Sequence, residues 1–212
     1  ATSSKVTNLQ TISQDRRNLT PYSQQWNFTI ERQLMSDLTF TIGYYGTKGN
    51  RLLRRFDTNA PDPGPGNINA RRPTNQLAVP GLDYIVKPLA DTFRREFSAN
   101  SNHHALNLKL EKRFSSGLSF LSTYIWSKTI SDAAGGADAG STSPTGVQDR
   151  KNLQAEKSLA DEHRPHRFVT SLNYDLPFGR GRPLWANAHP VADAVFGGWA
   201  IGGIVTLSSG RL

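Results

Sequence analysis

The chain has 212 residues, of which 36% are hydrophobic, with 18 Gly, 12 Pro, no cysteine and a formal net charge of +8. This balance favours strands and long loops over packed helices, and the missing cysteine removes disulfide frameworks, thiol nucleophiles and Cys-based metal sites. The basic residues are spread along the chain beside acidic ones, as in Glu31-Arg32 and Glu111-Lys112, and neither an aromatic-basic platform nor a helix-turn-helix accompanies them, so no nucleic-acid partner is expected.

From the N-terminus, ATSSKVTNLQTISQDRR lacks the basic-then-apolar layout of a secretory signal. No run of about 18 apolar residues, the length of a membrane-spanning helix, occurs anywhere. Membrane strands escape that criterion because their apolar residues alternate with polar ones. The first two strands are predicted near 22–34 and 38–47, around the turn Met35-Ser36-Asp37. Pairing across that turn puts Trp26, Phe28, Ile30, Leu34, Leu38, Phe40, Ile42 and Tyr44 on one face, opposite Asn27, Thr29, Glu31, Gln33, Thr39 and Thr41. A polar connector rich in turn formers, TNAPDPGPGNINARRPTNQ among its residues, is expected over 48–102.

Strands three and four, near 103–114 and 118–128, repeat the first hairpin. FTIERQLMSDLTFTIGYYG from Phe28 aligns without a gap with LKLEKRFSSGLSFLSTYIW from Leu108, an offset of 80 residues. Around Ser115-Ser116-Gly117, one face carries Leu106, Leu108, Leu110, Phe114, Leu118, Phe120, Tyr124 and Trp126. The other carries Asn107, Lys109, Glu111, Arg113, Ser119, Thr123 and Ser127. Aromatic residues sit at both ends of the apolar face with aliphatic groups between, the order of a hydrocarbon band between two girdles. Trp26, Phe28, Phe40, Tyr44, Leu108, Leu110, Phe120, Tyr124 and Trp126 are therefore the lipid-facing and girdle candidates, and Glu31, Lys109, Glu111 and Arg113 the lumen-facing ones. Arg32 and Lys112 interrupt the greasy face close to the turns, where a long cation can snorkel into a headgroup layer.

A second polar connector is expected over 129–165, and two further strands near 166–177 and 198–209. Alternation alone is shared with the half-buried sheets of soluble sandwiches. Connector lengths break the tie, because structureless loops above about 15 residues are uncommon in compact soluble domains, whereas barrels of the outer membrane alternate short periplasmic turns with long outer loops. The expectation is an all-β, antiparallel up-and-down meander: about six strands of an outer-membrane β-barrel, open and curved if isolated, with long extracellular loops, forming one partial barrel domain over 1–212. The link FGRGRPLWANAHPVADAVF after Pro177 is longer than a periplasmic turn should be.

No enzymatic constellation assembles. Serines are plentiful but none lies in a nucleophile elbow, Gly179 to Arg182 (GRGR) lacks the setting of a phosphate loop, and Asn27-Phe28-Thr29 is a sequon stranded inside a β-strand. Asp161, Glu162, His163 and His166 offer metal-ligand types, but Pro165 intervenes and they read better as a loop-to-strand junction; His103 and His104 point to opposite faces. No metal, cofactor or catalytic residue is assigned.

Five segments carry a family resemblance: PYSQQWNFTIERQL (Pro21 to Leu34), GYYGTKGNRL (Gly43 to Leu52), ALNLKLEKRFSSGLSFLSTYIWSK (Ala105 to Lys128), HRFVTSLNYDLPFGRGR (His166 to Arg182) and GGWAIGGIVTLSSGR (Gly197 to Arg211). Covering about two fifths of the chain, they resemble in content and order the Oar-like group of bacterial TonB-dependent receptors. The resemblance implies a bacterial outer-membrane barrel of about 22 strands around a plug, taking up a bulky nutrient with energy delivered by TonB. The implied partners are outer-membrane lipid, the remainder of the barrel and plug, TonB through the intact parent protein, and an unidentified transported ligand. No plug, TonB-contacting box or terminal aromatic strand is seen, and the chain stops within a strand at SSGRL, so an internal barrel segment is expected. The alternative is a soluble or cell-surface β-sheet binding or adhesion module that uses its long loops.

Overall fold

The structure is a computed structural model that describes residues 9–17, 19–62, 64–78, 85–86, 89–133, 147, 149, 151–187 and 189–211. In chain order its elements are β1 (Leu9–Gln14), β2 (Tyr22–Met35), β3 (Leu38–Asp57), α1 (Ile68–Arg71), β4 (Leu77–Ala78), β5 (Ile85–Val86), β6 (Leu89–Ser115), β7 (Leu118–Ser131), a 3-10 turn (Leu153–Glu156), β8 (Ser158–Leu159), β9 (His166–Asp175), α2 (Pro190–Phe196) and β10 (Ala200–Ser208). The main sheet has the order β10-β9-β7-β6-β3-β2, with β8 antiparallel to β7 and β1 parallel to β6. Six long strands in sequence order make the up-and-down meander that the two hairpins and the alternating connector lengths predict. The chain forms two compact units, one from Ala1–Gln24, Lys48–Asn102 and Ile130–Ala160, the other from Gln25–Thr47, His103–Thr129 and Asp161–Leu212.

In the second unit the register matches apolar with apolar along one face and leaves the other mixed. Between β7 and β9, Leu118 faces Tyr174, Phe120 faces Leu172 and Tyr124 faces Phe168, while Ser119 faces Asn173 and Thr123 faces Val169. Strand β10 continues both rows, Ile201 beside Tyr174 and Leu207 beside Phe168, Gly202 beside Asn173 and Ser208 beside Arg167. A slip of one residue would turn every apolar side chain to the other face, so the pattern itself fixes the pairing. In the first hairpin, Thr41 Oγ1 donates to Glu31 Oε2 at 3.4 Å, and the indole of Trp26 lies on Gly46, where a Cβ would come within 2.2 Å of the ring. Both contacts join residues whose numbers sum to 72, the pairing expected for a turn at 35–37. At the second turn Ser116 and Gly117 take φ of 51° and 79°, the left-handed region that glycine enters without a Cβ clash. Gly117 O there accepts the Asp175 N–H at 2.7 Å.

The described residues of the long link after β9 are structured. His189 caps α2 and Pro190 begins it, a favoured position because proline's missing N–H is not needed there. Phe178 meets Trp185 at 5.4 Å between ring centroids, Trp185 meets Phe196 at 6.0 Å, and Trp199 Nε1 donates to Val195 O at 2.8 Å. This aromatic cluster occupies the residues by which the link exceeds a tight turn.

The first unit departs from expectation. The stretch 48–102, expected as a loop, is in large part strand: β3 runs on to Asp57 and β6 starts at Leu89. Strand β1, not foreseen at all, pairs in parallel with the segment from Leu89 to Arg95. The physical reason is that polar contacts, not an apolar stripe, order this region. Arg54, 3% exposed, pairs with Asp132 Oδ1 at 3.0 Å and donates to Asp132 O at 2.8 Å. Arg72 bridges Asp57 at 3.3 Å and Asp91 at 2.7 Å. Buried Asn59 donates to Thr74 O and Ala90 O and accepts from the Thr74 N–H. Leu89, Phe93 and Ala99 form the small apolar core, with the Arg55 guanidinium 3.9 Å over the Phe93 ring. In the expected connector 129–165, β7 extends to Ser131, and the 3-10 turn and β8 lie before Ala160. The parts of the two expected connectors at 63, 79–84, 87–88, 134–146, 148 and 150 lie outside the described residues.

Candidate functional site

The second unit presents two chemically distinct faces, and strand alternation decides which side chains stand on each. On the even-numbered face of β2, the side chains of Phe28 (66% exposed), Ile30 and Leu34 are open, as are Ile201 and Leu207 (62%) on the same side of β10. Moving one such side chain from water into an apolar phase is worth about 1.5–3 kcal/mol, so a whole row held open favours an apolar surrounding. Phe40, Leu108, Leu110 and Phe120 stand on this face half-buried by their neighbours. One polar pair on it is satisfied locally: Ser122 and Thr170, directly opposite each other, share a hydrogen bond between their hydroxyls at 2.7 Å.

Near the hairpin turns, Lys112 does more than snorkel. Its ammonium is bound by the Asp37 carboxylate of the first turn, to which Ser115 Oγ also donates at 2.6 Å. Arg113 contributes from the same strand, its N–H to Asp37 O at 2.8 Å and its Nη2 to Ser36 O at 2.7 Å. The hydrogen bonds from Lys112 and Ser115 hold the Asp37 carboxyl at about 2, below its ordinary 3.8. One hairpin thus grips the turn of the preceding one.

At the other end of these strands, Tyr44 and Tyr124, equivalent across the 80-residue repeat, each hold a histidine. Tyr44 Oη and His104 Nδ1 share a hydrogen bond at 2.8 Å with rings stacked at 6.1 Å and 14°; Tyr124 and His166 do the same at 2.8 Å, 6.1 Å and 17°. Trp26 tilts against His104 at 6.2 Å, and Trp126 stands exposed. The sequence singled out these tyrosines and tryptophans as girdle candidates, and the histidines that partner the tyrosines were not among them.

On the opposite face, Lys109 Nζ and Glu111 Oε2 pair at 2.9 Å, and Glu31 accepts from Thr41. Arg113, the fourth lumen-facing candidate, is committed to the turn rather than to this group. His163, Glu162 and His166 go to separate partners: His163 Nδ1 accepts the Thr129 N–H at 3.3 Å, Glu162 pairs with Arg211 at 3.9 Å and His166 pairs with Tyr124. Among the described residues no group of three or more His, Asp or Glu is placed to hold a metal ion.

An apolar row on one face, a second face that carries Glu31, Lys109 and Glu111 beside exposed Leu121 and Ile204, and aromatic residues toward both strand ends suit a wall between lipid and water. Comparison with known families agrees: over residues 1–212 the chain matches the family model described as outer membrane beta barrel domain, and it belongs to that family. Its place is the bacterial outer membrane. No curated protein and no solved structure matches the chain.

Proposed function

We propose that the chain is wall of a TonB-dependent receptor of the Oar-like kind, not an enzyme, and that the intact receptor takes up a bulky nutrient by energy-coupled movement of a plug. The observation that carries this reading is the concentration of charge on the non-lipid face, Glu31, Lys109 and Glu111, with the only ion pair among them spanning two residues of one strand. Such a face suits a wide polar interior against which a plug can move, where a small closed barrel would fill its interior with side chains. The five segments in family order support the same assignment. In this orientation the turns at 35–37 and 115–117 face the periplasm and the long connectors face outward.

Energy coupling tests the reading. Cells whose outer membrane carries the intact receptor are offered labelled siderophores, oligosaccharides and peptides, with and without a protonophore. Accumulation of one class that stops when the proton-motive force is collapsed, or when TonB is deleted, is expected. Accumulation indifferent to both would make the barrel a passive pore and overturn the proposal.

A further inference from the structure

On the lipid-facing side of the second unit, at the strand ends away from the hairpin turns, lies a groove of about 600 Å³ lined by Tyr44, His104, Leu106, Trp126, Lys128 and His163. Lys128 is ten residues beyond the start of β7. That is about 33 Å along a strand, or about 25 Å of height at a tilt near 40°, which is the edge of the apolar band. The groove therefore sits where acyl chains give way to headgroups.

Its walls are apolar and its polar atoms lean one way. None of its lining residues is acidic, and Lys128 has no carboxylate partner among the described residues. His163 is 5% exposed. Because its Nδ1 accepts the Thr129 N–H, the neutral ring carries its proton on Nε2, and that N–H has no acceptor among the described residues. With Nδ1 so engaged, Nε2 is the nitrogen that His163 has left to offer an anion in the groove. His104 has Nδ1 occupied by Tyr44, leaving Nε2 as a further nitrogen at the rim.

We propose that this groove binds the phosphorylated headgroup of an outer-membrane lipid, with Lys128 and the His163 Nε2–H taking the phosphate and Leu106 and Trp126 lying along the first carbons of an acyl chain. A free phosphate ion would use the donors but not the apolar walls, and it would have to reach a groove continuous with the lipid-facing surface. The inference rests on the outer-membrane assignment and is independent of what the receptor transports.

The test is retention of lipid by the full chain reconstituted in phosphatidylcholine nanodiscs doped with lipid A or with dephosphorylated lipid A, then extracted into detergent and read by native mass spectrometry. Phosphorylated lipid A should be retained at least about tenfold better, the discrimination given by hydrogen bonds to a charged group. Lys128→Ala and His163→Leu should each remove most of that preference, while Lys128→Arg and His163→Gln, which keep a donor, restore it. Circular dichroism of each variant separates loss of the site from loss of the fold, and Lys128→Ala, at an exposed position, keeps the test decisive if His163→Leu does not fold. Equal retention of both lipids, indifference to Lys128→Ala, or displacement by millimolar inorganic phosphate would overturn the proposal.

Discussion

The hydroxyl pair Ser122–Thr170 reports directly on what the apolar face meets. The two residues are opposite each other on β7 and β9, between the rows Phe120–Leu172 and Tyr124–Phe168, with Val205 of β10 next in line. Their hydroxyls are 2.7 Å apart, and in hydrocarbon no water can replace a lost partner. Ser122→Ala or Thr170→Val alone leaves one hydroxyl unpaired, at a cost of about 1–3 kcal/mol less whatever it regains from its own backbone. Changing both removes the unpaired group and leaves a purely apolar row, so the double variant should sit close to wild type. The coupling energy expected from pairs embedded in lipid is about 0.6–1.7 kcal/mol; on a wetted face it falls to about 0.3 kcal/mol or less, because water substitutes for either partner. Urea unfolding of the four proteins in thin-bilayer vesicles gives the cycle from midpoints at constant slope. Strictly additive single effects would refute the lipid assignment for this face.

Three further outcomes follow from the same geometry. Leu110→Arg, on the lipid face of β6, should destabilise the protein in bilayers by about 2–4 kcal/mol, whereas Lys109→Ala on the opposite face removes a half-exposed ion pair and should cost no more than about 1 kcal/mol; the same urea titration separates them. Asp37 has a folded pKa of about 2 against an ordinary 3.8, so its contribution is present in full above the unfolded value and disappears as pH falls from roughly 4 through 2. The midpoint difference between wild type and Asp37→Asn should thus be constant above about pH 5 and close as pH approaches 2; a difference unchanged at pH 2 would mean the carboxylate is not what binds Lys112. Arg54→Met leaves the Asp132 carboxylate without its cation, and removing one partner of a buried pair costs about 3–5 kcal/mol, read as accelerated amide exchange in the last turns of the β3 ladder, residues 50–57.

How much of this could be read beforehand depended on whether the ordering force leaves a period in the sequence. Strands with one apolar face do, since Phe120, Tyr124, Leu172 and Leu207 all project to one side, and the meander is visible from alternation, repeat and connector length together. The first unit leaves none. Its long extensions of β3 and β6 are held by Arg54 with Asp132, Arg72 with Asp57 and Asp91, and the amide of Asn59, groups that in KGNRLLRRFD and LADTFRREF look like the ordinary charge of a solvated loop. Pairwise polar contacts between residues 15 to 78 apart carry no local signature, so the strands they organise look like connector in the linear chain.

The girdle shows the same limit within a region that was otherwise readable. Tyr44 and Tyr124 are in step with the 80-residue repeat, but their histidines lie 60 and 42 residues further on. The separations differ because each pair closes across a connector, and the second connector is the shorter. His104 and His166 therefore fall out of phase with the repeat, although the sheet gives both the same distance to their tyrosine and nearly the same stacking angle. What recurs is a position in the sheet, fixed by antiparallel register, and a repeat search in the linear chain cannot see it. Once the order β3-β6 and β7-β9 is known, the equivalence follows from topology alone: each hairpin's outgoing strand presents its tyrosine to the strand that returns from the following connector. On this argument, any neighbouring hairpin of the same barrel that keeps tyrosine at the position of Tyr44 should meet a ring or amide at the matching height of its next strand, whatever the length of the loop between them.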